Sequence, residues 1–389
     1  MDLAFSPADN AFRDEVRTWL SENAPTDRRP KLGRAVRDFD LGWQRKMFDA
    51  GWGGVAWPVE YGGRDLPLTQ QLIWYEEYAR TGLRPIDTRF VGLAHAGPTL
   101  MARAGEEHRS YHLPRILRGD VVWCQGFSEP EAGSDLASLR TKGVVDGDEL
   151  VVTGQKIWTS YADVADWQEL LVRTDPDVPK HKGITWVICD MRSPGIEVRP
   201  IRTMEGGADF NEVFYDEVRI PMANVVGGID NGWSVAMSTL SFERGTAFTI
   251  SQVQLASSVE KLIAMARDRM SVNGTPVIAD GSVADRLARA RADCAALRAL
   301  TYLGISTNAQ SSQPGPEGSM MKLQYADLAK RVYRLGLDIL GTRSLSIPED
   351  EDETTWVDHH LTAYSTSIGG GTSEIQRNII AERVLGLPR

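Results

Sequence analysis

Three short motifs concentrate the residues whose types and spacing could bind a ligand or support a reaction. The first, Phe127–Asp135, places the hydroxyls of Ser128 and Ser134 beside small residues. Such a loop brings backbone N–H groups and hydroxyls close to a ligand, so it can bind a phosphate or a planar heterocycle. A turn that only connects two domains is the alternative interpretation of the same residues.

The second motif, Lys156–Ser160, contains a tryptophan followed by two hydroxyl residues. Trp158 offers an aromatic face, and Thr159 and Ser160 offer hydrogen bonds beside it. An aromatic face next to polar groups suits the recognition of a flat ring system. The alternative interpretation is an ordinary tryptophan at the end of a strand.

The third motif, Ile368–Ile380, contains three consecutive glycines near its start. We expect Ser373 and Gln376 to form a capping box that opens a helix. A glycine loop that leads into a helix N-terminus can bind an anion. The motif is neither a Walker loop nor a Rossmann fingerprint, because it lacks the lysine of the first and the preceding strand of the second.

The spacing of apolar residues divides the chain into three predicted domains and predicts an α+β multidomain fold. Residues 1–120 show helical periodicity. Residues 121–231 contain short apolar runs bounded by Gly, Pro or Asp, with a hairpin turn at Asp146-Gly147, which predicts a β domain. Residues 232–389 return to helical periodicity, which predicts a bundle.

Helix positions can be predicted at both ends of the chain. Ser6 before Pro7 predicts the start of the first helix. The apolar positions from Val283 to Thr301 and from Met321 to Ile339 step by three and four residues. We therefore expect two antiparallel helices that bury these stripes against their neighbours.

Composition and charge exclude several classes of function. The net charge of −10 argues against a general nucleic-acid binder, which needs a basic face to attract phosphates. The three cysteines are far apart and form no CxxC pair, so we expect neither a disulfide framework nor a metal site. We find no signal peptide and no run of about 20 apolar residues. We therefore expect a cytoplasmic protein without a membrane span.

Taken together, the three motifs resemble the acyl-CoA dehydrogenase family. The resemblance rests on Ser128–Asp135, Lys156–Ser160 and Gly371–Arg377, whose order and spacing agree with the family over nearly the whole chain. It implies an N-terminal helical domain, a middle β-barrel-like domain and a C-terminal four-helix bundle, with FAD between the last two. It also implies a homotetramer or an α2β2 heterotetramer that passes electrons to an electron-transfer flavoprotein.

The resemblance further implies that residues of all three motifs contact FAD. The first motif would approach the pyrimidine side of the flavin and the pyrophosphate, and the second would follow the flavin edge. The implied contacts are Phe127, Ser128, Ser134, Trp158, Thr159, Ser160, Gly371, Thr372 and Glu374. Ser134 is also an implied substrate contact. Arg269 is the nearest match to an arginine that the family places on the pyrophosphate from a partner subunit, although its segment departs from the usual spacing.

The catalytic base is the point at which the sequence departs from the commonest family pattern. That pattern has a Glu before the last helix, whereas this chain has Gly370 there. Some members use a Glu beside an arginine on the first long C-terminal helix, which implies Glu243 as the base and Arg244 as a substrate contact. The N–H of Gly370 remains available as a donor to the thioester oxygen. The alternative for Glu243 is a solvated carboxylate on a helix.

Three functions stay open on the sequence alone. The favoured one is FAD-dependent α,β-dehydrogenation of an acyl-CoA thioester, in which a carboxylate removes the α-proton. The second is an oxygen-using flavoenzyme on the same fold, and the third is a non-catalytic or partner-dependent subunit of a heterotetrameric acyl-CoA dehydrogenase. The substrate class is open between fatty acyl and steroid side-chain thioesters, because bacterial relatives with this glycine loop and a displaced Glu include steroid-degrading enzymes.

Overall fold

A computed structural model describes most of the chain. It describes residues 5–31, 33–84, 87–242, 249–308, 316, 318–346 and 355–388. They pack into two compact units, each discontinuous along the chain. The helical unit is Met1–Ala24, Pro67–Pro85 and Arg244–Arg389, and the sheet unit is Pro25–Leu66 and Ile86–Glu243. These packing units do not test the domain boundaries predicted above, which stay predictions.

The described residues contain eleven α-helices. In chain order they are α1 (Pro7–Asn23), α2 (Gly33–Asp49), α3 (Leu68–Arg80), α4 (Gly97–Arg103), α5 (Glu106–Arg118), α6 (Gly232–Phe242), α7 (Thr249–Asp268), α8 (Gly281–Asn308), α9 (Gly318–Leu340), α10 (Trp356–Ala363) and α11 (Ser373–Ile379). A π-helical segment, Val91–Ala96, precedes α4, and a second one, Ile380–Val384, follows α11. Within these residues no helix is both long enough and apolar enough to cross a membrane.

The predicted start of α1 and the two predicted apolar stripes are confirmed. The Ser6 hydroxyl accepts the N–H of Asp9 at 3.1 Å, and the Asp9 carboxylate accepts the N–H of Ser6 at 3.2 Å. Burial of one large aliphatic side chain contributes about 1.5–3 kcal/mol, so the stripes hold α7, α8 and α9 together. The buried stripe residues are Leu287, Ala290, Cys294, Leu297, Leu328, Val332, Leu335 and Ile339, which pack with Leu255, Val259 and Leu262 of α7.

A buried cluster of charges joins α1, α3 and α8 within the helical unit. Arg13 lies 2.9 Å from Glu76 and 2.7 Å from Glu77, and Arg298 lies 2.7 Å from Glu76. Both glutamates are buried, whereas Arg298 is 53% exposed. Loss of Arg13 therefore approaches the cost of about 3–5 kcal/mol that is typical of a broken buried ion pair, and loss of Arg298 costs less. The cluster explains how the first and third helices are fixed to a helix near the other end of the chain. Apolar periodicity does not predict it, because periodicity does not report which helix a charge faces.

The sheet unit contains one mixed sheet of eight strands. They are β1 (Trp123–Gly126), β2 (Lys142–Asp146), β3 (Glu149–Ser160), β4 (Trp167–Arg173), β5 (Ile184–Asp190), β6 (Ile196–Ile201), β7 (Phe210–Pro221) and β8 (Val225–Val226). The order is β6-β7-β3-β2-β4-β5-β8, and β1 pairs in parallel with β4. The predicted hairpin is confirmed, since β2 and β3 pair antiparallel across Gly147, whose φ of 63° suits glycine.

β1 is absent from the predicted strands. It has only four residues, and its burial shows no inside–outside alternation that a sequence pattern could report. Its pairing places Gln125 beside Glu169 and Gly126 beside Leu170. The first motif therefore starts from a strand inside the sheet and not from a loop between domains.

Both faces of the sheet are buried around β4. Leu171 belongs to the cluster that includes Leu113 and Ile116 of α5, whereas Leu170 belongs to the cluster on the opposite face with Val213 of β7. This division follows from the alternation of side chains along a strand. β4 is thus buried on both faces, and it pairs with β1, which leads directly into the first motif.

Candidate cofactor and catalytic site

The first and second motifs, which are far apart in the sequence, are hydrogen-bonded to each other in the sheet unit. The N–H of Ile157 donates to the carbonyl oxygen of Ser128 at 3.0 Å. The ammonium group of Lys156 donates to the carbonyl oxygen of Phe127 at 3.0 Å. The two motifs are therefore parts of one site, and β3 fixes its geometry.

A buried ion pair stabilises this junction between the motifs. The Nζ atom of Lys156 lies 2.8 Å from Oε1 of Glu129. The same carboxylate accepts the N–H groups of Arg140 at 2.6 Å and Thr141 at 2.8 Å. Burial lowers the pKa of Lys156 to about 8, against the opposing charge of Glu129. Burial also disfavours ionised Glu129, but Lys156 and the bonds from Thr141 and Arg140 bring its pKa below the usual value.

Neither Lys156 nor Glu129 is assigned a role by the sequence analysis. The sequence contains one signal, because Lys156 is a charged residue within a predicted strand segment, and the structure shows it buried. An isolated buried charge is too costly to persist without a partner. That argument predicts a buried acid for Lys156, but it does not identify which of the many acids provides it.

Trp158 is held in an unusual backbone conformation at the end of β3. Its φ is 61°, and the register of β3 against β7 shifts between Lys156 and Thr159. A non-glycine residue with left-handed φ stores about 1–3 kcal/mol and is concentrated at functional sites. The indole is 56% exposed and meets Phe210 only edge-on, at 6.0 Å between ring centroids. One indole face is therefore available for stacking.

The hydroxyl residues that follow Trp158 differ in their surroundings. Thr159 is fully buried, and its carbonyl oxygen accepts the side-chain amide of Asn211 at 3.2 Å. Its hydroxyl has no hydrogen-bond partner among the described residues. Ser160 is half-buried at the last position of β3. Because Thr159 is fully buried, only the half-buried Ser160 offers a hydroxyl with solvent access after Trp158.

The first motif runs from a buried start to an exposed tip. Phe127 is buried, Ser128 is half-buried and Ser134 is exposed. Beside Ser134, the Asp135 carboxylate accepts the Lys180 ammonium at 2.8 Å. This ion pair is exposed and adds little stability, and Ser134 beside it is also exposed.

The predicted capping box of the third motif is wrong by one residue. The N-cap is Thr372, whose hydroxyl accepts the N–H of Ile375 at 3.3 Å, and Ser373 is the first residue of α11. Gln376 does not reach back to the cap N–H. Its side-chain amide donates to the carbonyl oxygens of Gly370 at 2.9 Å and Gly371 at 3.1 Å. The carbonyl oxygens of the loop bind this amide in place of the cap N–H. The capping-box pattern in the sequence considers side-chain types only and does not include these carbonyls.

Two other proposed cofactor contacts lie in the helical unit. Glu374 is exposed and pairs with Arg377 at 3.2 Å. Backbone hydrogen bonding at the start of α11, and then the Thr372 hydroxyl, lower the pKa of Glu374. Arg269 donates from Nη2 to the carbonyl oxygen of Leu340 at 2.5 Å. Arg269 thus caps the last turn of α9 in the isolated chain.

The two residues proposed for the reaction itself are outside the described part of the chain. Glu243 and Arg244 follow directly after α6, whose last residue is Phe242. The end of α6 that precedes them is anchored to α4, because the hydroxyls of Thr99 and Thr239 are 2.8 Å apart. The roles of Glu243 and Arg244 stay predictions.

The chemistry of the described residues fits the implied flavin. A flavin has a flat aromatic face and a polar edge. Trp158 provides an exposed indole, and the half-buried Ser160 provides a hydroxyl two residues further on. These are the groups that would hold such a ring.

Comparison with protein families gives three matches in chain order. The acyl-CoA dehydrogenase N-terminal domain matches residues 6–120, the middle domain matches residues 124–218, and the C-terminal domain matches residues 230–385. Together these matches extend over nearly the whole chain.

Comparison with individual proteins agrees with the family matches. The chain is 37% identical to acyl-CoA dehydrogenase IpdE1 of Mycobacterium tuberculosis, over 97% of each chain. It is 33% identical to acyl-CoA dehydrogenase FadE26 of the same organism, over 100% of this chain and 99% of the other. Among solved structures, it is similar to the Tcur3481-Tcur3483 steroid ACAD, with a TM-score of 0.88, 33% identity and full coverage of both chains. It is also similar to the ChsE4-ChsE5 complex from Mycobacterium tuberculosis, with a TM-score of 0.86, 33% identity and full coverage of both.

Proposed function

Because the chain belongs to the acyl-CoA dehydrogenase family and is an oxidoreductase of that family, we propose that it introduces an α,β double bond into a CoA thioester with FAD as the oxidant. The observation that carries the proposal is that the two motifs that resemble flavin-binding segments are hydrogen-bonded to each other. Ile157 donates to Ser128, and Lys156 donates to Phe127. Family members with this three-domain architecture are flavoproteins. When bound, FAD accepts the hydride that leaves the β-carbon.

The reaction requires a base for the α-proton and donors for the thioester oxygen. We assign the base to Glu243, since no carboxylate precedes the last helix where Gly370 stands. A positioned general base contributes roughly 10²–10⁴-fold to the rate. The Gly370 N–H is assigned to the thioester oxygen, where one such donor contributes about 10²–10³-fold. Arg244 is assigned to the substrate.

The cofactor contacts are proposed as two sets. In the sheet unit they are Phe127, Ser128, Ser134, Trp158, Thr159 and Ser160, and in the helical unit they are Arg269, Gly371, Thr372 and Glu374. The exposed indole of Trp158 supports the first set. The second set rests on the resemblance of the last helix to the family.

We propose a bulky, ring-bearing acyl group as the substrate. Glycine at 370 leaves no side chain in the position of the usual base, which frees space near the reacting carbons. The name of a similar solved structure, a steroid ACAD, supports a steroid-derived thioester. The ChsE4-ChsE5 complex supports assembly with a second, related chain, so an α2β2 heterotetramer is proposed beside a homotetramer. An electron-transfer flavoprotein is the proposed electron acceptor.

A non-catalytic or partner-dependent subunit is the second candidate function. The missing carboxylate at Gly370 favours it, because a chain that lacks a base can still bind a flavin and a thioester. The two candidates differ in one measurable property. A catalytic chain reduces its own FAD, whereas a non-catalytic chain does not.

Anaerobic flavin bleaching tests the proposal. The purified protein is supplied with FAD and then mixed with straight-chain, branched and steroid acyl-CoA thioesters. We expect FAD to bind non-covalently and at least the ring-bearing thioesters to bleach its absorbance. Failure to take up FAD would overturn the proposal. Stable FAD without bleaching by any thioester, alone or with a co-expressed partner chain, would favour the non-catalytic subunit.

A further inference from the structure

The carbonyl oxygens of the glycine loop before α11 are held by two side chains from different helices. Gln376 of α11 donates through one amide group to the oxygens of Gly370 and Gly371, at 2.9 Å and 3.1 Å. Lys322 of α9 donates from its ammonium group to the oxygen of Gly371. The loop is therefore fixed from both sides, although it consists of residues with high conformational freedom.

The approach of Gln376 requires glycine at position 371. The Gln376 side chain is almost completely buried, at 1% exposure. A Cβ atom added at residue 371 would lie 2.7 Å from Nε2 of Gln376, closer than real contacts allow. Gly371 also has a φ of 91°, which other residues rarely adopt. The sequence of the loop and the position of Gln376 are thus matched to each other.

These bonds determine where the N–H groups of the loop point. In a trans peptide the N–H points opposite to the C=O. Bonds to the oxygens of Gly370 and Gly371 therefore fix the peptide planes that carry the N–H groups of Gly371 and Thr372. The N–H of Gly370 lies in the preceding peptide, and its direction relative to these fixed planes follows from the backbone angles of Gly370, whose φ is 64°. Among the described residues, no acceptor is found for the N–H of Gly370. A donor that is held in place and has no protein partner is suited to an oxygen of a ligand.

Lys322 adds charge as well as geometry. The ammonium group of Lys322 is a positive charge at the part-buried oxygen of Gly371. A charged donor makes a stronger hydrogen bond than a neutral one, so Lys322 holds this carbonyl more firmly than an uncharged side chain would. The carbonyl belongs to the peptide that carries the Thr372 N–H, so Lys322 acts on the Gly370 N–H through the conformation of the loop.

We propose that Gln376 and Lys322 are positioning residues for the dehydrogenation: together they hold the glycine loop in the conformation that presents the Gly370 N–H to the thioester oxygen. This role rests on the proposed function, because it presumes a thioester at the loop. It explains how a backbone without the usual Glu side chain keeps a defined geometry. It also assigns roles to two polar residues that are not among the proposed substrate and cofactor contacts.

The variants Gln376→Met and Lys322→Met each remove a side-chain donor to the loop carbonyls, with little change in side-chain volume. Lys322→Arg is the conservative variant, since it keeps a charged donor. Lys330→Met is the matched control, because it removes a lysine from the same helix, two turns away. Each variant is prepared with FAD, and its FAD content and melting temperature are measured first.

Two further readouts separate positioning from general stability. The first is kcat and KM with a thioester that reduces the wild-type protein. The second is the absorbance red shift of bound furylacryloyl-CoA, which reports polarisation of the thioester carbonyl. We expect Gln376→Met and Lys322→Met to lower kcat about 10–100-fold, with KM changed less than about threefold, and to lose most of the red shift. Lys322→Arg restores both readouts, and Lys330→Met leaves them unchanged.

Two results would overturn the positioning role while the proposed function stands. In one, wild-type protein bleaches its FAD and shifts the probe, and both Met variants do the same. In the other, kcat and red shift fall only in proportion to lost FAD or lost folded protein. If wild-type protein neither bleaches nor shifts the probe, the proposed function fails and the positioning role fails with it.

Discussion

The ammonium group of Lys156 lies 2.8 Å from the carboxylate of Glu129, and this buried pair joins two motifs that are separate in the sequence. Lys156 also donates to the carbonyl oxygen of Phe127, at 3.0 Å. A buried ion pair gains little net stability over an apolar pair, but loss of one partner leaves an uncompensated charge. The pair therefore acts mainly by fixing the relative position of the strand end and the loop.

Lys156→Met is expected to destabilise the protein strongly. The variant leaves Glu129 buried without its counter-charge, which costs about 3–5 kcal/mol of unfolding free energy. Urea unfolding measures the loss. The double variant Lys156→Met with Glu129→Gln removes both charges and is expected to recover part of it. A single variant within about 0.5 kcal/mol of wild type would show that the pair is not essential to the junction.

Trp158→Gly is expected to separate cofactor binding from stability. Glycine accepts the φ of 61° without strain, so the FAD-free variant should unfold at a free energy equal to or above that of wild type. Loss of the aromatic face should weaken FAD binding about 2- to 12-fold, since an aromatic contact contributes about 0.5–1.5 kcal/mol. Fluorescence titration of the FAD-free protein measures the affinity. Trp158→Phe is the control that keeps an aromatic ring. Unchanged affinity in Trp158→Gly would exclude the stacking role.

His112 is expected to make stability depend on pH. Burial, and then the charges of His108 and Arg115, lower the pKa of His112 to about 3. In the unfolded chain its pKa is about 6.5. As the pH falls, the unfolded state therefore takes up a proton on His112 before the folded state does. The contribution of neutral His112 to the free energy of unfolding is fully present above pH 6.5 and is lost as the pH falls towards 3.

The variant His112→Phe tests this dependence, because phenylalanine keeps an aromatic ring beside Trp123 and Trp167 and does not titrate. From pH 6.5 to pH 5 the wild-type protein should lose about 2 kcal/mol more than the variant, at about 1.4 kcal/mol per pH unit. Urea unfolding at both pH values gives the difference. Parallel losses in the two proteins would show that His112 is not the group responsible.

The sequence predicts those parts of the fold that depend on local patterns. The stripes of α8 and α9, the cap at Ser6 and the hairpin at Gly147 each follow from spacing within one element, and each is confirmed. β1 is too short and too buried to show a pattern. The packing of α1 and α3 against α8 depends on contacts between distant residues, which no local spacing contains.

The candidate site also combines features that local patterns predict with features that depend on contacts between distant residues. Residue types point to Ser128 and Trp158, but the bond from Ile157 to Ser128 depends on the register of the strand and cannot be read from either motif. The helix cap is Thr372 and not the predicted Ser373, and the amide of Gln376 binds the glycine carbonyls instead of the cap N–H. Interactions across elements, and not residue types, are what the sequence leaves open.

A rescue experiment addresses the position of the base. Gly370→Glu on a Glu243→Gln background restores a carboxylate where most of the family has one. The left-handed φ of 64° at this residue opposes any side chain by about 1–2 kcal/mol, so only partial recovery of flavin reduction is expected. The single variant Gly370→Glu is the control for this strain. Complete absence of rescue, with FAD still bound, would argue against two interchangeable positions for the base.

The most direct test of the account is the rate of flavin reduction in Glu243→Gln, measured by anaerobic stopped flow with a thioester that bleaches the wild-type protein. Glu260→Gln on α7 is the matched control. We expect Glu243→Gln to keep its FAD, melting temperature and thioester binding, and to reduce the flavin about 10²–10⁴-fold more slowly, a loss on the order of 3–5 kcal/mol of transition-state stabilisation. Reduction at nearly the wild-type rate would contradict the assignment of Glu243 as the base.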